Sequence, residues 1–405
     1  MLKQLRLTAF KSFENEPIPL APLTILVGAN AAGKSNVLDA LLVLQGAAQD
    51  LTMTDVLRGR QDGGRVTWPG VRGGSSEVVR KGCERATIES TWTLGAEDVT
   101  HRLTFLGGDH PLVTQESLKS TLVHPYLFDT EAGALAGKAG LDGMNLRVAI
   151  KRKGKGNSVA KQFAATRSLL SQIQPGGSVS AEVIARRDAI RHAMRGAFFL
   201  DITPALMRAY VPRGADFVGL SGEKVSSVAH AMCQDEDSRQ DLVDWLSELC
   251  APELANIEFS STELGDVMLV LVEKDGRRIP ARSLSDGTLR FLGEMIALRS
   301  APRGSLLLME EIENGLHPTR AYLLVQAMEA AIEARDLQVI ATTHSPLVLR
   351  ALSPTALRDA VLVARPDGDT GSVARRLGDL AGFDEVVQRR GIDRLVASGW
   401  LERAL

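Results

Sequence analysis

The residues from Gly28 to Ser35, GANAAGKS, fit the pattern G-x-x-x-x-G-K-[ST] at each fixed position. Glycines in such a loop let backbone N–H groups converge on phosphate oxygens, and the lysine brings positive charge to the β- and γ-phosphates. The serine hydroxyl is a ligand for Mg²⁺, and the following helix points its positive end at the anion. The alternative is a glycine turn with a chance Lys-Ser pair. The predicted nucleotide contacts are Asn30, Ala31, Ala32, Gly33, Lys34, Ser35 and Asn36.

Two adjacent carboxylates, Glu310 and Glu311, follow the apolar run SLLLM. Beside a phosphate loop, the first carboxylate can hold Mg²⁺ together with Ser35, and the second can polarise the attacking water. A strand that ends in two solvated glutamates is the alternative. The pair therefore predicts a metal ligand and a catalytic base only if this strand lies next to the phosphate loop.

Two further segments place polar residues at the ends of regular elements. In LSDGT, Ser285 begins a helical pattern, and Asp286 and Gly287 follow it, so the segment is a second N-terminus that can bind an anion. In QVIATTHSP, His344 comes just after a buried strand. The alternatives are an ordinary helix cap and a structural histidine.

These side chains need strands and helices to position them. The apolar run LTILV before the phosphate loop is typical of a central strand, as are LLLM and VIATT. Alternating segments predict a strand in LKQLRLTAF and hairpins at ATIESTWTL with VTHRLTF, at VMLVLVE with RRIPARSL, and at AVLVARPDGDTGSVARRL. Spacings of three and four predict helices in AEVIARRDAIRHAMRGAFF and RQDLVDWLSELC, and residues 55–75 are interpreted as a loop.

The order of the four motifs, with FKSF before them, resembles an ABC-type P-loop ATPase of the RecF, SMC (structural maintenance of chromosomes) and OLD branch. The chain is most similar to the compact bacterial AAA-15 and AAA-21 ATPases. The resemblance rests on FKSF, GANAAGKSNVLDAL, SLSDGTLRFL, and LLLMEEIENGLHP with ATTHSP. It implies an α/β fold: an ABC-type head with a mixed sheet flanked by helices, an antiparallel β subdomain and an inserted, mainly helical lobe.

The resemblance also implies roles for single residues. Two heads would dimerise around ATP, so that Ser285, Asp286 and Gly287 of one contact the nucleotide held by the other. Glu311 would be the general base and His344 the switch histidine. Ser35 and Glu310 would hold Mg²⁺, although Glu310 stands where most relatives have aspartate. The remaining implied assignments are nucleotide contacts at Lys11 and Ser12 and a dimer-seam position for Asn314. The Q-loop glutamine is not placed: Gln45 comes too early, and Gln61 is a possible position.

These expectations divide the chain into four parts. The predicted units are 1–114 (N-terminal part of the head, with phosphate loop and β subdomain), 115–260 (helical lobe), 261–365 (C-terminal part of the head) and 366–405 (C-terminal tail). The interval before LSDGT is too short for a long coiled-coil arm. The chain after His344 is also too short for the Toprim nuclease domain of OLD proteins.

Composition limits the class of protein and its partners. The net charge is −2 over 405 residues, and no long apolar run predicts a membrane segment or signal peptide. Cys83, Cys233 and Cys250 form no C-x-x-C pair, and we expect a cytoplasmic protein without a membrane partner. Residues 138–195 carry twelve Lys or Arg against three Asp or Glu, which makes DNA a possible partner.

The sequence thus predicts an ATP hydrolase that uses ATP and Mg²⁺. Its heads would form an ATP-gated homodimer, or a higher oligomer, that controls DNA or an effector such as a nuclease or toxin encoded nearby, in antiphage defence. The alternatives are a RecF-like DNA repair ATPase and an oligomeric scaffold that holds a toxic partner inactive.

Overall fold

The structure is a computed structural model that describes residues 1–132, 140–153, 158–249, 254–366 and 371–405. Its strands are, in chain order, β1 (Leu2–Phe10), β2 (Phe13–Pro19), β3 (Leu23–Val27), β4 (Arg60–Asp62), β5 (Arg65–Trp68), β6 (Arg85–Leu94), β7 (Glu97–Leu106), β8 (Val113–Ser120), β9 (Val123–Asp129), β10 (Gly140–Asp142), β11 (Asn145–Ile150), β12 (Val159–Ala164), β13 (Ala197–Leu200), β14 (Leu254–Ser261), β15 (Val267–Glu273), β16 (Arg278–Pro280), β17 (Leu306–Met309), β18 (Gln338–Thr343), β19 (Val361–Ala364) and β20 (Val373–Arg376). Its α-helices are α1 (Lys34–Ala48), α2 (Met53–Arg58), α3 (Gly74–Glu77), α4 (Leu169–Gln172), α5 (Ala181–Arg195), α6 (Val225–Met232), α7 (Glu236–Leu249), α8 (Asp286–Ser300), α9 (Pro318–Arg335), α10 (Pro346–Ala351), α11 (Pro354–Asp359), α12 (Phe383–Arg390), α13 (Ile392–Ala397) and α14 (Trp400–Arg403).

A central sheet carries the motifs of both chain ends. Its strand order is β13-β17-β18-β3-β19-β20, and all neighbours are parallel except the final antiparallel pair, β19 and β20. Every residue of β3, β17 and β18 is buried. Parallel strands covered on both faces form near-continuous apolar runs, which is why LTILV, LLLM and VIATT were predictable as strands.

The two faces of this sheet pack into two hydrophobic clusters. Ile25 and Val27 of β3 face one cluster, which also contains buried residues of α8 and α9. Leu26 faces the other, which contains most of the apolar side of α1 and of the antiparallel sheet. The alternation along β3 therefore joins the helical layer and the β layer through one strand.

An antiparallel sheet forms the second layer. Within the described residues it has nine strands, in the order β10-β11-β9-β8-β7-β6-β1-β2, with β12 also paired to β11. The predicted hairpin β6–β7 is present with register from Arg85 opposite Leu106 to Leu94 opposite Glu97. A separate three-stranded sheet, β14-β15-β16, contains the second predicted hairpin.

The segment 115–260 differs from the expectation of a mainly helical lobe. Strands β8 to β12 continue the antiparallel sheet, and the first helix among the described residues of this segment is α4. The strand β8, VTQESLKS, was not recognisable because its buried positions include polar residues. One of them, Glu116, is fully enclosed by His101, Ser168 and the backbone N–H of Leu169, at 2.9, 2.7 and 2.8 Å. Buried polar residues that contact one another remove the apolar alternation that identifies a strand.

Two strands of the central sheet also lie outside the parts of the chain predicted to form the head. The strand β13, from within 115–260, is the edge strand of the central sheet and pairs with β17. The boundary at 365–366 lies inside the predicted hairpin β19–β20, whose second strand is the opposite edge. Both strands have only four residues, too few for a reliable period.

The segment 55–75 is more ordered than the expected loop. It contains most of α2, the hairpin β4–β5 and the start of α3. The helix α2 begins with a capping box in which Thr52 and Asp55 satisfy each other's backbone N–H groups. None of the helices in the described ranges has the length and hydropathy of a membrane span.

Candidate functional site

The predicted site residues follow three neighbouring strands at one edge of the central sheet. Thr343 of β18 lies opposite Val27 of β3, and Met309 of β17 lies opposite Ala341 of β18. Parallel strands in this register end together, so the phosphate loop, Glu310 and His344 emerge at the same edge. In open α/β sheets, ligands bind at the carboxyl ends of the strands.

The backbone of the phosphate loop is tightly constrained. Gly28 has φ of +151°, and a Cβ there would lie 2.0 Å from the carbonyl oxygen of Val363 on β19. Ala31 has a left-handed φ of 61°, and Gly33 precedes the first residue of α1. The loop thus turns through conformations that place its N–H groups at the positive end of a 15-residue helix.

Lys34 is 7% exposed, and its ammonium donates hydrogen bonds to the carbonyl oxygens of Gly28 and Ala29 at 2.7 and 2.9 Å. Burial lowers the pKa of Lys34, and the negative charges of Glu311, Glu313 and Glu310 partly offset that effect. The loop therefore holds the charge of Lys34 at its centre, where a phosphate group would be contacted.

Ser35 and Glu310 lie in direct contact, because the Ser35 hydroxyl donates a hydrogen bond to Glu310 Oε1. Both offer hard oxygen atoms, the donor type that Mg²⁺ prefers. In the described part of the chain no cluster of three or more His, Cys, Asp or Glu is arranged to hold a metal. The donor set therefore suits an ion bound by one hydroxyl, one carboxylate and the phosphates of a nucleotide.

Arg72, which the sequence analysis missed, donates from Nη1 to Glu310 Oε1 at 2.6 Å and from Nη2 to the carbonyl oxygen of Ser35 at 2.8 Å. Burial acts to lower the pKa of Arg72, but the hydrogen bond to Glu310 and the charge of Asp39 outweigh it and raise this pKa. Arg72 lies in the Gly- and Arg-rich segment, where no period or spacing distinguishes it from its neighbours.

Glu311 is held in a strained backbone conformation next to Glu310. Its φ is +49°, and its N–H donates to Thr342 Oγ1 of β18 at 2.9 Å. The side chain of Asn314 donates to Glu311 Oε2 at 3.3 Å. A non-glycine residue in this conformation is uncommon and occurs preferentially at functional sites.

His344 is half exposed, and Glu313, which the sequence analysis also missed, orients it. Glu313 Oε1 accepts the backbone N–H of His344 at 2.8 Å and lies 3.0 Å from His344 Nδ1. Glu313 Oε2 accepts the Thr343 hydroxyl at 2.7 Å. A carboxylate on Nδ1 fixes the ring and directs Nε2 away from the strand end. The only sign of Glu313 in the sequence is that it is the third acidic residue of EEIEN.

The predicted signature residues form the N-terminus of α8. The Ser285 hydroxyl accepts the N–H of Thr288 at 3.2 Å, and Asp286 receives a 2.5 Å hydrogen bond from Arg208. Gly287 packs against the turn after β17, since a Cβ there would lie 2.6 Å from the Gly315 carbonyl oxygen. Within one protomer these residues thus contact the turn that also contains Asn314.

Lys11 and Ser12 lie beside the first turns of α1. The Lys11 ammonium contacts buried Asp39 at 2.5 Å, and both side chains are less than one-tenth exposed. The Ser12 hydroxyl accepts from Asn36 Nδ2 at 2.8 Å and from Ser372 at 2.7 Å. Ser12 and Asn36 therefore meet beside the phosphate loop, whereas the Lys11 charge is engaged by Asp39.

Ser372 ties the C-terminal hairpin to the phosphate loop. Its hydroxyl contacts the carbonyl oxygen of Ala32 at 2.6 Å, and its N–H donates to the carbonyl oxygen of Ser12 at 2.8 Å. The side chain is 2% exposed. A cavity of about 520 Å³ adjoins the loop on this side, lined by Ala29–Ala32, the hairpin and the chain end.

The two glutamines considered for the Q-loop lie in different surroundings. Gln45 is buried in α1 and donates to the carbonyl oxygen of Ala197, which anchors the edge strand β13 to the helix. Gln61 is exposed in β4, opposite Val66. Gln45 therefore has a structural role, and Gln61 stays a prediction.

Among the described residues, five cations of the basic segment 138–195 form ion pairs with carboxylates of the chain. The cations that form ion pairs with carboxylates are Arg147 with Asp142, Lys151 with Glu182, Arg167 with Asp50, Arg186 with Glu97 and Arg187 with Asp188. Lys138 and Lys155 lie outside the described residues. Asp142, Glu182 and Asp188 belong to the segment itself, so only Asp50 and Glu97 reduce the excess of positive charge that the composition gives.

One protein-family model matches the two segments of the chain that contain the motifs. The family model described as "AAA domain, putative AbiEii toxin, Type IV TA system" matches residues 23–78 and 179–350, more than half of the chain. The matched segments contain the phosphate loop, the signature turn, the paired carboxylates and His344. No curated protein matches the sequence.

Solved structures extend the comparison to nearly the whole chain. The structure entitled "Crystal structure of the SmcHead bound to the C-winged helix domain of ScpA" matches with a TM-score of 0.50 and 13% identity, over 93% of this chain and 98% of that one. An SMC head domain from Thermotoga maritima has a TM-score of 0.43, 13% identity and coverages of 93% and 98%. An SMC head from Pyrococcus furiosus, bound to the C-terminal domain of ScpA, has a TM-score of 0.48, 12% identity and coverages of 96% and 99%. The first likeness shows the fold, that of an SMC head.

Proposed function

The chain belongs to this AAA-domain family, and from that premise we propose that it binds ATP with Mg²⁺, hydrolyses it and uses the cycle to control a partner protein. The observation that carries the proposal is the convergence of three strand ends at one edge of the sheet. There Lys34 lies in the phosphate loop, Ser35 contacts Glu310, and Glu311 and His344 flank them.

The side chains divide the work of hydrolysis. Lys34 and the loop N–H groups bind the phosphate chain, and Ser35 and Glu310 hold Mg²⁺, which neutralises phosphate charge when bound. The Glu311 carboxylate takes a proton from the attacking water, and its strained backbone keeps it at the strand end. His344, held by Glu313, presents its free ring nitrogen to the γ-phosphate.

A second copy of the chain completes the site in this proposal. The Ser285 hydroxyl caps its own helix, and the free N–H groups at the start of the 15-residue α8 form a positive terminus. That terminus suits the γ-phosphate held by the loop of another protomer. Binding of ATP would therefore close two heads, and hydrolysis would open them.

A protein partner is the proposed target of this closing. The SMC head of similar fold was solved bound to the winged-helix domain of ScpA, and the family description names a toxin–antitoxin system. We infer that this chain belongs to a bacterial defence system and regulates an effector such as a nuclease or toxin.

Two variants test the enzymatic part. Lys34→Ala should abolish binding of a fluorescent ATP analogue, because the loop loses its charge. Glu311→Gln should bind ATP normally but hydrolyse it about a hundredfold more slowly, since the base is lost. Exposed Lys274→Ala and Glu333→Gln are the matched controls and should behave like wild type. Wild-type turnover in Glu311→Gln would refute the assigned base.

The mass of Glu311→Gln, measured by light scattering with and without ATP, tests the switch. A doubling with ATP that Ser285→Arg prevents supports closure through the signature turn. An ATP-independent mass would refute gating by nucleotide. Capture of a protein encoded nearby that depends on this ATP-bound form would support partner control, and ATP-independent capture would support the scaffold alternative.

A further inference from the structure

Arg72 places a positive charge on the carboxylate that we assign to the metal site. It lies between β5 and α3, and its guanidinium contacts three groups around the start of α1. Nη1 donates to Glu310 Oε1 at 2.6 Å, Nη2 to the Ser35 carbonyl at 2.8 Å, and Nε lies 3.3 Å from Asp39 Oδ1. Glu310 Oε1 thus accepts from both Arg72 and the Ser35 hydroxyl.

The backbone of Arg72 is fixed, whereas its side chain is half exposed. Lys11 donates to the Arg72 carbonyl at 2.8 Å, and the neighbouring Val71 N–H donates to the Leu57 carbonyl at 3.1 Å. The side chain itself is 49% exposed. Asp39, its second anionic contact, keeps a separate buried partner in Lys11. The guanidinium can therefore leave Glu310 without moving the backbone of Arg72, and Asp39 then keeps Lys11 as its partner.

A cavity of about 230 Å³ lies next to the guanidinium and leaves room for it to move. Its lining includes Asp39, Arg72, Glu310 and a third carboxylate, Asp201, just after β13. Asp201 is exposed, and its backbone N–H is held by the Leu220 carbonyl at 2.9 Å. The cavity thus offers a second anionic acceptor on a fixed strand end.

A guanidinium and a divalent cation repel each other, so the contact of Arg72 with Glu310 Oε1 disfavours a metal ion on the same oxygen. We propose that Arg72 competes with Mg²⁺ for Glu310, so that the ion binds only together with ATP, when the guanidinium moves from Glu310 towards Asp201. This inference rests on the proposed ATP site. It adds that the metal ion does not bind to Ser35 and Glu310 before ATP is present. Arg72 is in this role a positioning residue.

Binding of Mn²⁺ without nucleotide, followed by electron paramagnetic resonance, tests the competition. Mn²⁺ takes the same oxygen ligands as Mg²⁺. Wild type should bind it weakly, and Arg72→Ala about tenfold more tightly or better, because a repelling charge next to the ligand is removed. Arg72→Lys should fall between them, since it keeps the charge but loses the planar fork. An unchanged affinity in Arg72→Ala would overturn the proposal.

Two further variants make the result specific. Adding Glu310→Gln to Arg72→Ala should remove the gain, and persistence of the gain would place the ion elsewhere and refute the competition. Asp201→Asn should leave Mn²⁺ binding without nucleotide unchanged but weaken the enhancement by ATP, and an undiminished enhancement would refute Asp201 as acceptor. If Arg72→Ala fails to fold, as judged by circular dichroism, Arg72→Gln must show the same gain.

Binding of fluorescent ATP with Mg²⁺ to wild type tests the proposed function separately. Wild type that binds ATP, with no gain of Mn²⁺ affinity in Arg72→Ala, refutes only the competition. Wild type that does not bind ATP, with a clear gain in the variant, refutes only the proposed function.

Discussion

The hydroxyl of Ser35 donates a hydrogen bond to the carboxylate of Glu310, although 275 residues separate them in the chain. The strands before them, β3 and β17, are not neighbours, because β18 lies between them. The phosphate loop reaches across the end of β18 to bring the two side chains together. One edge of the sheet therefore holds together a site whose residues come from two distant parts of the chain. Substitutions that shift the strand ends at this edge should affect nucleotide binding.

Gly28→Ala should damage the phosphate loop. The new Cβ would lie 2.0 Å from the Val363 carbonyl oxygen, so the loop or β19 must shift. The positive φ adds strain of about 1–3 kcal/mol. We expect a lower free energy of unfolding in denaturant titrations and loss of fluorescent ATP binding. Gly95→Ala is the control, with positive φ but open space around the Cβ. Equal effects of both would show that the contact with Val363 is unimportant.

Ser372→Ala should weaken ATP binding moderately. Its hydroxyl touches the Ala32 carbonyl and the Ser12 hydroxyl, and it is buried. Loss of these contacts should lower the free energy of unfolding by about 1 kcal/mol and loosen the loop. The affinity for fluorescent ATP is the measurement, with Ser398→Ala as control because that hydroxyl bonds only within its own helix end. Wild-type affinity would mean that the hairpin does not support the loop.

The placement of the motif residues was predictable because each follows a buried strand or begins a helix, and their roles stay predictions. An apolar run such as LLLM and a polar residue at its end are local signals, and the register that aligns them follows from parallel pairing. Arg72 and Glu313 were not predictable, since their roles arise from contacts made across the fold. The strand β8 was missed for a similar reason: its Glu116 is satisfied by residues distant in sequence.

Glu313→Gln should slow hydrolysis more than it weakens binding. Oε1 of the carboxylate contacts both the backbone N–H and Nδ1 of His344, and Oε2 accepts the Thr343 hydroxyl. The amide of glutamine carries no negative charge and cannot accept at both terminal atoms, so it holds the ring less firmly. Misorientation of the ring should lower kcat about tenfold or more, with little change in the affinity for ATP. Glu333→Gln, on an exposed face of α9, is the control. A normal kcat would contradict the positioning role of Glu313.

Glu294 should make the stability of the protein depend on pH. It is fully buried on α8, and its Oε2 has no hydrogen-bond partner among the described residues. Burial raises its pKa from 4.5 to about 8; Arg290 acts in the opposite direction and Glu313 in the same one. Between these two values the folded chain keeps a proton that the unfolded chain releases. The free energy of unfolding should therefore fall as the pH rises from 4.5 to about 8.

Glu294→Gln isolates this contribution, because the amide has nearly the same shape and does not ionise. Each unit of pKa difference corresponds to about 1.4 kcal/mol, so the variant should gain stability relative to wild type as the pH rises, by up to a few kcal/mol. Denaturant titrations at pH 5, 6.5 and 8 measure the difference, and Glu333→Gln should follow wild type throughout. Parallel curves for Glu294→Gln and wild type would show that Glu294 is already ionised in the folded protein.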